Sequence, residues 1–597
     1  MLRRSSFSNQ REPCASFCEE SEKRLLFFKY FLTFWIIVLI ARLFSLQVLD
    51  YGFYSAMASD QRDVSAKLFP ERGEILLQDK NNHLYPLATN EDRFLVYADT
   101  SELKNINKTT EFLADKLYAS IADEVIKKEK IAKLKERLQK ENDPFEPLEH
   151  GVVEAMMEEI KSLELPGIHF SRESFRFYPL GDIGSHLTGF VGDDDEGKKA
   201  GRYGLEAYFN DDLQGKEGYL KGERDVSGRY IPVGLKRFVE AENGTDVVLT
   251  VDRNIEYVAC TKLNEAVKKH GADGGSVIIL EPKTGKILAM CGAPDFDPNN
   301  FRKVKDAAVF NNPVIFNQYE AGSVMKVITM AAALDTGAVT PETTYEDTGG
   351  VRIGPHVISN SDNKAHGVQT MTQVLEQSLN TGVVFAVSKV GLEKFRDYLG
   401  RFGFGKSTGI DLPSEAKGDI GSLYKKEKIY LATAAFGQGI SVTPLQLAAA
   451  VGAIANEGKL MKPYLVAQKR NKDDVVFENY PEIVAQVISP ETSALLSGMM
   501  VRVVENGHGK QAGVSGYFVA GKTGTAQIPL KDSLGYEVGA NVGTFVGFAP
   551  VDNPRFVMVT RLDRPKDVKF AESTAAPLFG EIAQFLLNYM EVKPTRK

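Results

Sequence analysis

A serine and a lysine stand three residues apart at the start of an apolar stretch, at Ser323 and Lys326. Residues three apart share one face of a helix, so the lysine amine should lie beside the serine hydroxyl. The stretch that follows, 327–334, is almost wholly apolar, which predicts a helix buried all round. Burial favours the neutral form of a lysine, and a neutral amine can take the serine proton. The pattern therefore predicts a serine nucleophile with a lysine base.

A Ser-x-x-Lys spacing by itself is a weak signal, because it recurs in this chain. The other matches lie in polar, loop-like sequence, where a lysine stays hydrated and protonated. We interpret them as surface residues, and only the first pair leads into an apolar helix. These weaker matches are Ser101/Lys104, Ser361/Lys364, Ser414/Lys417 and Ser422/Lys425.

A second element, Ser-x-Asn, has two candidates in the chain. Ser361 and Asn363 lie in an open polar loop, whereas Ser378 and Asn380 lie between two predicted helices. A turn between helices projects its side chains into a cleft, so we favour the second pair. In that position Ser378 can relay a proton and Asn380 can hold a substrate amide.

A third element, Lys-Thr-Gly, also occurs twice. The match at 283–285 is typical of a hairpin turn. The other lies in strand-like sequence, where a glycine lets a ligand approach the backbone. Its lysine and threonine hydroxyls could bind a carboxylate, and the strand could donate an N–H to an oxyanion hole together with the Ser323 N–H. The residues of this second match are Lys522, Thr523, Gly524 and Thr525.

Other kinds of catalytic site fit poorly. Residues 516–523 match the phosphate-loop pattern, but that loop needs a helix after its Lys-Thr, and here more strand is predicted. The histidines have no metal-ligand spacing, so we expect no metal and no cofactor. His186, His356 and His366 are predicted to be hydrogen-bonded structural residues.

Composition and cysteine usage narrow the class further. A net charge of -7 is mild and argues against a nucleic-acid partner. The chain has 4 cysteines, Cys14, Cys18, Cys260 and Cys291, which do not make a disulfide framework. We therefore expect free thiols at all of these positions.

Residues 25–49 are long and apolar enough to cross a bilayer. Arginines and lysines precede them, which predicts a cytoplasmic tail, 1–24, and an extracytoplasmic remainder. A cleaved signal peptide is the alternative, but the small-residue site at Ala56 and Ala58 lies too far from the apolar run. An uncleaved anchor is favoured.

The remainder divides by character near residue 240. Residues 50–240 contain no catalytic pattern and are interpreted as a pedestal, whereas 241–597 hold all three elements. Strand-like runs lie at both ends of the second part, with a long region, 323–451, that we expect to be helical. This order predicts an α+β domain in which an antiparallel sheet packs against a helical block.

The three motifs, in this order, resemble those of the class B penicillin-binding proteins, the monofunctional peptidoglycan transpeptidases. The resemblance implies a single membrane helix, a mixed α/β, dimerisation-like pedestal and a penicillin-binding domain with a five-stranded antiparallel sheet. Glu320 and Ala321 depart slightly from the family, which often has a proline before Gly322. The similarity extends to segments 42–47, 70–75, 178–179, 185–187, 204–206 and 436–446.

The resemblance also implies a reaction. Ser323 would attack the D-Ala-D-Ala carbonyl of a peptidoglycan stem peptide, with Lys326 as the general base and Ser378 passing the proton to the leaving amine. Lys522, Thr523 and Thr525 would hold the terminal carboxylate, and β-lactams would acylate Ser323. An amine from a neighbouring stem would then form the cross-link.

The resemblance further implies a place in the cell. It suggests the bacterial inner membrane and a polytopic glycosyltransferase partner, and it favours a division-type over an elongation-type enzyme. A D,D-carboxypeptidase or β-lactam hydrolase using the same serine remains an alternative, as does a non-enzymatic β-lactam sensor or scaffold.

Overall fold

A computed structural model describes residues 15–50, 63–119, 121–194, 197–224, 230–231, 237–472, 474–530, 535–568 and 570–596. The chain forms two compact units. One contains residues 1–69 and 217–242, and the other contains 70–216 and 243–597.

The first part of the chain, up to residue 242, alternates strands with mostly short helices. Its strands are β1 (Asp63–Leu68), β2 (Ile75–Gln78), β3 (Leu84–Ala98), β4 (Glu146–Val152), β5 (Ile168–Phe177), β6 (Phe190–Asp193), β7 (Lys199–Arg202), β8 (Gly218–Arg224), β9 (Tyr230–Ile231) and β10 (Arg237–Val239). Its helices are α1 (Ala15–Phe44), α2 (Ile106–Leu117), α3 (Glu124–Leu138), α4 (Glu154–Lys161), α5 (Ser185–Thr188), α6 (Gly204–Tyr208) and α7 (Asn210–Leu213).

The second part of the chain holds the remaining elements. Its strands are β11 (Asp246–Asp252), β12 (Gly274–Leu280), β13 (Ile287–Ala293), β14 (Thr344–Asp347), β15 (Gly350–Ile353), β16 (His356–Ser359), β17 (Gly367–Thr370), β18 (Lys459–Met461), β19 (Val466–Asn471), β20 (Asp474–Glu478), β21 (Ile483–Gln486), β22 (Ala520–Pro529), β23 (Tyr536–Ala549) and β24 (Phe556–Asp563). Its helices are α8 (Arg253–His270), α9 (Met325–Asp335), α10 (Met371–Glu376), α11 (Asn380–Val390), α12 (Leu392–Arg401), α13 (Lys428–Ala434), α14 (Pro444–Ala455), α15 (Pro490–Asn506) and α16 (Ala575–Tyr589).

In the smaller unit, α1 runs into a π-helical turn, Ser45–Leu49. Residues Leu25–Leu49 have a mean hydropathy of 2.1 and are long and apolar enough to cross a membrane. Their bounds are those of the predicted span. β1, β8, β9 and β10 form a small sheet in the same unit.

A second sheet joins the pedestal residues 70–216 to residues 243–597, which hold the three predicted motifs and are called the catalytic part below. Its strand order is β20-β19-β11-β2-β3-β4, with β5 paired to β3. β11 pairs in parallel with β2, across the predicted boundary at residue 240. Ile75 and Leu77 consequently share one apolar core with α9 and α14 of the catalytic part.

The catalytic sheet has the strand order β13-β12-β24-β23-β22, and every pair in it is antiparallel. Successive side chains of a strand point to opposite faces. Val546 accordingly packs into the core that contains the helical block, and Phe545 into a second core with α8 and α16. The predicted five-stranded antiparallel sheet packed on helices is confirmed.

The region 323–451, predicted as mainly helical, also contains strands that the sequence analysis did not predict. β14, β15, β16 and β17 form two-stranded ladders within it. Gly349 and Gly354 have φ of 84° and 59°, a region that glycine adopts without a Cβ clash, and they turn the chain between these strands. Short runs with β-branched residues pair with each other locally between such turns. The apolar residues of the surrounding helices dominated the prediction for the whole region, so these strands were not predicted.

The expectation of free thiols was wrong at Cys260 and Cys291. These residues form a disulfide between α8 and β13, with their Cα atoms 5.2 Å apart. The partners are 31 residues apart in sequence, and only the packing of α8 on the sheet brings them together. Cys14 and the side chain of Cys18 lie outside the described residues.

Candidate active site

Ser323 lies in a 3₁₀ turn, Gly322–Val324, that leads directly into α9. Its side chain is half-buried, whereas α9 is buried from Met325 to Leu334. The predicted all-round burial of this helix is therefore observed. Gly322 has φ of 59° and donates its N–H to the carbonyl of Gly437, which anchors this turn. Because it carries Ser323, we call Gly322–Val324 the nucleophile turn.

Lys326 is fully buried, and its amine points to the turn between α10 and α11. Nζ donates to the carbonyl of Ser378 at 2.5 Å and to its hydroxyl at 3.3 Å. Among the described side chains, no hydrogen bond joins Ser323 to Lys326. The Lys326 amine is therefore held on Ser378 and not on the predicted nucleophile, Ser323.

Ser378 has φ of 56°, a left-handed conformation that costs a non-glycine residue about 1 kcal/mol or more. Its hydroxyl faces the buried amine of Lys326, in the predicted turn between two helices. The Ser378 hydroxyl also receives a hydrogen bond from Lys522 Nζ, at 3.0 Å. The structure thus joins the second and third sequence elements at one hydroxyl.

Lys522 lies on β22, the edge strand of the catalytic sheet, and is fully buried. Its Nζ also donates to the carbonyl of Thr523 at 3.1 Å and lies 3.4 Å from the Thr523 hydroxyl. Strand continues after Lys522 and no helix follows, so the phosphate-loop pattern at 516–523 does not form a phosphate loop.

Both lysines lose much of their basicity. Burial lowers the pKa of Lys326 well below its ordinary value, and the nearby charge of Lys522 lowers it further. Burial lowers the pKa of Lys522 to about 7, against an opposing effect of the Glu572 carboxylate. Lys326 is therefore suited to act as a neutral base at neutral pH, while Lys522 is close to its midpoint.

Gly524 lies beside the nucleophile turn. A Cβ on Gly524 would come within 2.8 Å of the Ala321 carbonyl oxygen and 3.2 Å of the Val324 nitrogen. Position 524 is thus a glycine because the protein's own backbone occupies the space of a side chain, a reason that the sequence did not reveal. Thr525 accepts a hydrogen bond from the N–H of Ala571 at 3.1 Å, which fixes its hydroxyl at the strand edge.

Asn380 is the first residue of α11, and its Nδ2 donates to the carbonyl of Ser359 at 2.8 Å. The weaker candidates lie apart from this arrangement. Ser361 and Asn363 are exposed in the loop after β16, and Lys283 is exposed in the turn between β12 and β13. His186 and His366 are hydrogen-bonded, to Val309 and Asp347, as predicted.

The carboxylate of Glu320, near the nucleophile, was not among the predicted site residues. Glu320 accepts a hydrogen bond from the N–H of Gly439 at 2.8 Å and from the hydroxyl of Tyr536 at 3.2 Å. It therefore ties the nucleophile turn to the loop after α13 and to the start of β23. The only sequence signal was its position three residues before Ser323.

A helix-borne serine with a dehydrated amine nearby suits acyl transfer, because a neutral lysine can accept the hydroxyl proton without a histidine. The fold and site thus indicate a serine acyltransferase. Residues 275–584 match the penicillin binding protein transpeptidase domain, and residues 67–249 match the penicillin-binding protein dimerisation domain.

Relatives and solved structures agree with this class. Stage V sporulation protein D of Bacillus subtilis is 35% identical over 582 residues, 96% of this chain and 87% of that protein. Peptidoglycan D,D-transpeptidase FtsI of Buchnera aphidicola is 32% identical over 460 residues, 76% of this chain and 77% of that protein. Penicillin binding protein 3 of Mycobacterium tuberculosis, complexed with aztreonam, superposes with a TM-score of 0.66 at 26% identity, covering 89% of this chain and 99% of that one.

The chain belongs to the penicillin-binding proteins with a transpeptidase domain. The predicted class, a class B protein with a dimerisation domain before its transpeptidase domain, is confirmed. So is the predicted enzyme class, a D,D-transpeptidase.

Proposed function

We propose that this protein cross-links peptidoglycan stem peptides by D,D-transpeptidation through an acyl-enzyme on Ser323, in septal wall synthesis. The observation that carries the proposal is the convergence of Lys326 and Lys522 on the Ser378 hydroxyl, next to the nucleophile turn. The names of the transpeptidase relatives and of the aztreonam complex support the substrate and the inhibitor class.

In the acylation step, Ser323 Oγ bonds to the carbonyl carbon of the penultimate D-Ala while its proton passes to Lys326 Nζ. The C–N bond to the terminal D-Ala then breaks, and the proton returns through Ser378 to the leaving amine. The N–H groups at a helix start lack intrahelical acceptors, so the Ser323 N–H and a backbone N–H of β22 can stabilise the oxyanion.

Four further side chains position the acyl donor in this scheme. Lys522 and the Thr523 and Thr525 hydroxyls bind its terminal carboxylate, because a protonated amine and two hydroxyls line the same strand edge. Asn380 holds the amide of the stem peptide. An amine of a second stem then attacks the ester, which forms the new amide and releases Ser323 with its proton restored.

A fluorescent penicillin tests the proposal directly. Wild-type protein should carry the label covalently, and Ser323→Ala should carry none, while Ser361→Ala, in the exposed loop, should label normally. If Ser323→Ala labels or still cross-links stem peptides, the assignment of the nucleophile is wrong, and intact cross-linking would favour the sensor or scaffold alternative.

The hydrolytic alternatives differ in the fate of the ester. A hydrolase needs a carboxylate free to activate water. Both oxygens of Glu320 are hydrogen-bonded to the protein. A label that persists for hours on Ser323 supports the transpeptidase, and rapid release would favour a carboxypeptidase or β-lactam hydrolase.

The apolar helix and the disulfide support a proposal for the cellular setting. The protein is membrane-anchored, and we propose the bacterial inner membrane with residues 1–24 in the cytoplasm and the catalytic part outside. The Cys260–Cys291 disulfide supports this side, since disulfides persist in oxidising compartments.

A polytopic glycosyltransferase is the proposed partner, bound through the anchor and pedestal. Co-purification from membranes, with and without Leu25–Leu49, tests this partnership.

A division role is favoured over an elongation role by the name of the FtsI relative. Depletion should therefore leave cells that elongate without dividing, with fluorescent stem-peptide incorporation lost at the septum first. Loss of incorporation along the side wall instead would assign the protein to elongation.

A further inference from the structure

Asp347 is a buried carboxylate that the proposed reaction does not use. It ends β14 and is 2% exposed. Its oxygens accept hydrogen bonds from every side, so that hardly any of its acceptor capacity is left for solvent. The donors are Gly349 N (3.0 Å), Asn360 Nδ2 (2.8 Å), His366 N (3.1 Å), His366 Nδ1 (2.8 Å) and Thr381 Oγ1 (2.8 Å).

Asn360 extends this network to the start of α11. The side-chain oxygen of Asn360 accepts a hydrogen bond from the Thr381 N–H at 3.3 Å and lies 3.1 Å from the Thr381 hydroxyl oxygen. The residue before it, Ser359, supplies the carbonyl that binds Asn380 Nδ2. Two adjacent residues, Ser359 at the end of β16 and Asn360 just after it, thus bind Asn380 and its neighbour Thr381.

The start of α11 has no cap of its own. Leu379 occupies the N-cap position and makes no side-chain cap hydrogen bond. Helix starts normally rely on a polar N-cap side chain to bind the free N–H groups. Here the Asn360 side chain plays the role of the N-cap, although it lies outside the helix. Asp347 orients the Asn360 amide by accepting a hydrogen bond from its Nδ2.

The charge of Asp347 suits this task. Burial raises its pKa, but hydrogen bonds from His366, Gly349 and Thr381 outweigh burial and bring the pKa below the ordinary value. An ionised carboxylate accepts stronger hydrogen bonds than a neutral amide. His366 also contacts Asp362 at 3.1 Å, which connects the exposed loop with the weaker Ser-x-Asn match to Asp347.

We propose that Asp347 is a positioning residue that acts through Asn360 and the adjacent Ser359 to fix the side-chain amide of Asn380. The inference rests on the proposed function of Asn380 in acylation. Asp347 itself touches neither the substrate nor the reacting atoms.

The test is a double-mutant cycle on the acylation rate constant for a fluorescent penicillin. Asp347→Asn keeps the shape but places an amide among donors, and should lower the rate constant about tenfold. In an Asn380→Ala background the same change should lower it by less than about twofold, because the group that Asp347 positions is gone. Equal losses in both backgrounds, or no loss in the first, would overturn the proposal.

A matched control separates positioning from general damage. Asp411 also accepts backbone hydrogen bonds, from Leu465 and Val466, but contacts none of the motifs. Asp411→Asn should lower the unfolding temperature while leaving acylation of the folded protein within about twofold of wild type. If Asp411→Asn slows acylation as much as Asp347→Asn does, the effect is general and the proposal is wrong.

A second variant guards against misfolding of Asp347→Asn. Asn360→Ala removes the side chain that binds both Asp347 and the Thr381 N–H, and should show the same tenfold loss and the same dependence on Asn380. An Asn360→Ala protein that acylates normally would overturn the proposal. If the wild-type protein is not labelled at Ser323 at all, the proposed function fails, which is a different result from an unchanged Asp347→Asn rate.

Discussion

Lys326 and Lys522 share one hydrogen-bond acceptor, the hydroxyl of Ser378. Their amines lie 3.3 and 3.0 Å from that oxygen, and both lysines are fully buried. Two full positive charges this close in a site of low dielectric would repel strongly. The pair is therefore stable when at least one lysine is neutral. Burial and the neighbouring charge of Lys522 both lower the pKa of Lys326, which favours Lys326 as the neutral one.

Replacing Lys326 should abolish most acylation without preventing substrate binding. Lys326→Met keeps the buried volume but removes the base, and general-base loss typically lowers the rate by about 10²–10⁴-fold. Lys326→Arg should not restore the rate, because a guanidinium stays charged and cannot accept the proton. Stopped-flow labelling with a fluorescent penicillin measures both variants, and a fast Lys326→Met enzyme would contradict the role of Lys326 as base.

Binding of the acyl donor should weaken as pH rises through about 7, the pKa to which burial lowers Lys522. Below that pH Lys522 is charged and attracts the donor's carboxylate, and above it the free enzyme increasingly lacks the charge. The dissociation constant of the non-covalent β-lactam complex should therefore increase up to about tenfold per pH unit above the pKa. Lys522→Met should bind weakly with no such dependence, and a wild-type dissociation constant that stays flat from pH 6 to 9 would contradict the carboxylate role.

Folding stability should move the other way with pH. The folded-state pKa of Lys522 lies below that of an unfolded lysine, about 10.4. Between about pH 7 and 10.4 the unfolded state therefore holds a proton that the folded state has released, so the free energy of unfolding contributed by Lys522 rises with pH. Urea unfolding at pH 7.5 and 9 measures the slope, and Lys522→Met should reduce it.

A methyl group at Gly524 should damage the site by separating β22 from the nucleophile turn. The added carbon would overlap the Ala321 carbonyl and lie 2.9 Å from Val324 Cγ1. We expect Gly524→Ala to lose about 1–3 kcal/mol of stability and most acylation. Gly498 is the matched control, since it lies in α15 with open space around it, and Gly498→Ala should gain about 0.5–1 kcal/mol with normal labelling.

Removing the disulfide should lower stability and spare catalysis. A bridge over a separation of 31 residues restricts the unfolded chain and contributes about 4 kcal/mol by the loop-entropy estimate. β13, which carries Cys291, lies at the opposite end of the catalytic sheet from β22. Cys260→Ala with Cys291→Ala should therefore unfold at lower urea concentration but label at the wild-type rate, and unchanged urea unfolding would show that the bridge contributes nothing.

Much of the site was predictable because local patterns carry its chemistry. The apolar run after Lys326 predicted a dehydrated amine, and the helix–turn–helix context separated Ser378 from the exposed Ser361. Strand-like sequence around Lys522 argued against a phosphate loop at 516–523, and strand is what the structure has there. Each of these inferences depends on residues in the same helix or strand or in a neighbouring one. The composition of such a short run is enough to predict whether it is buried.

Contacts between distant segments were decided only by the tertiary structure. The pairing of Lys326 with Ser378 instead of Ser323, the approach of the nucleophile turn to Gly524, and the Cys260–Cys291 bridge all join elements that are separate in the chain. The buried Asp347 belongs to the same group, since nothing near it in sequence marks its link to Asn380. Such contacts follow from how the sheet and helices pack, and packing depends on the shape of every surface that meets, which no single stretch of sequence contains.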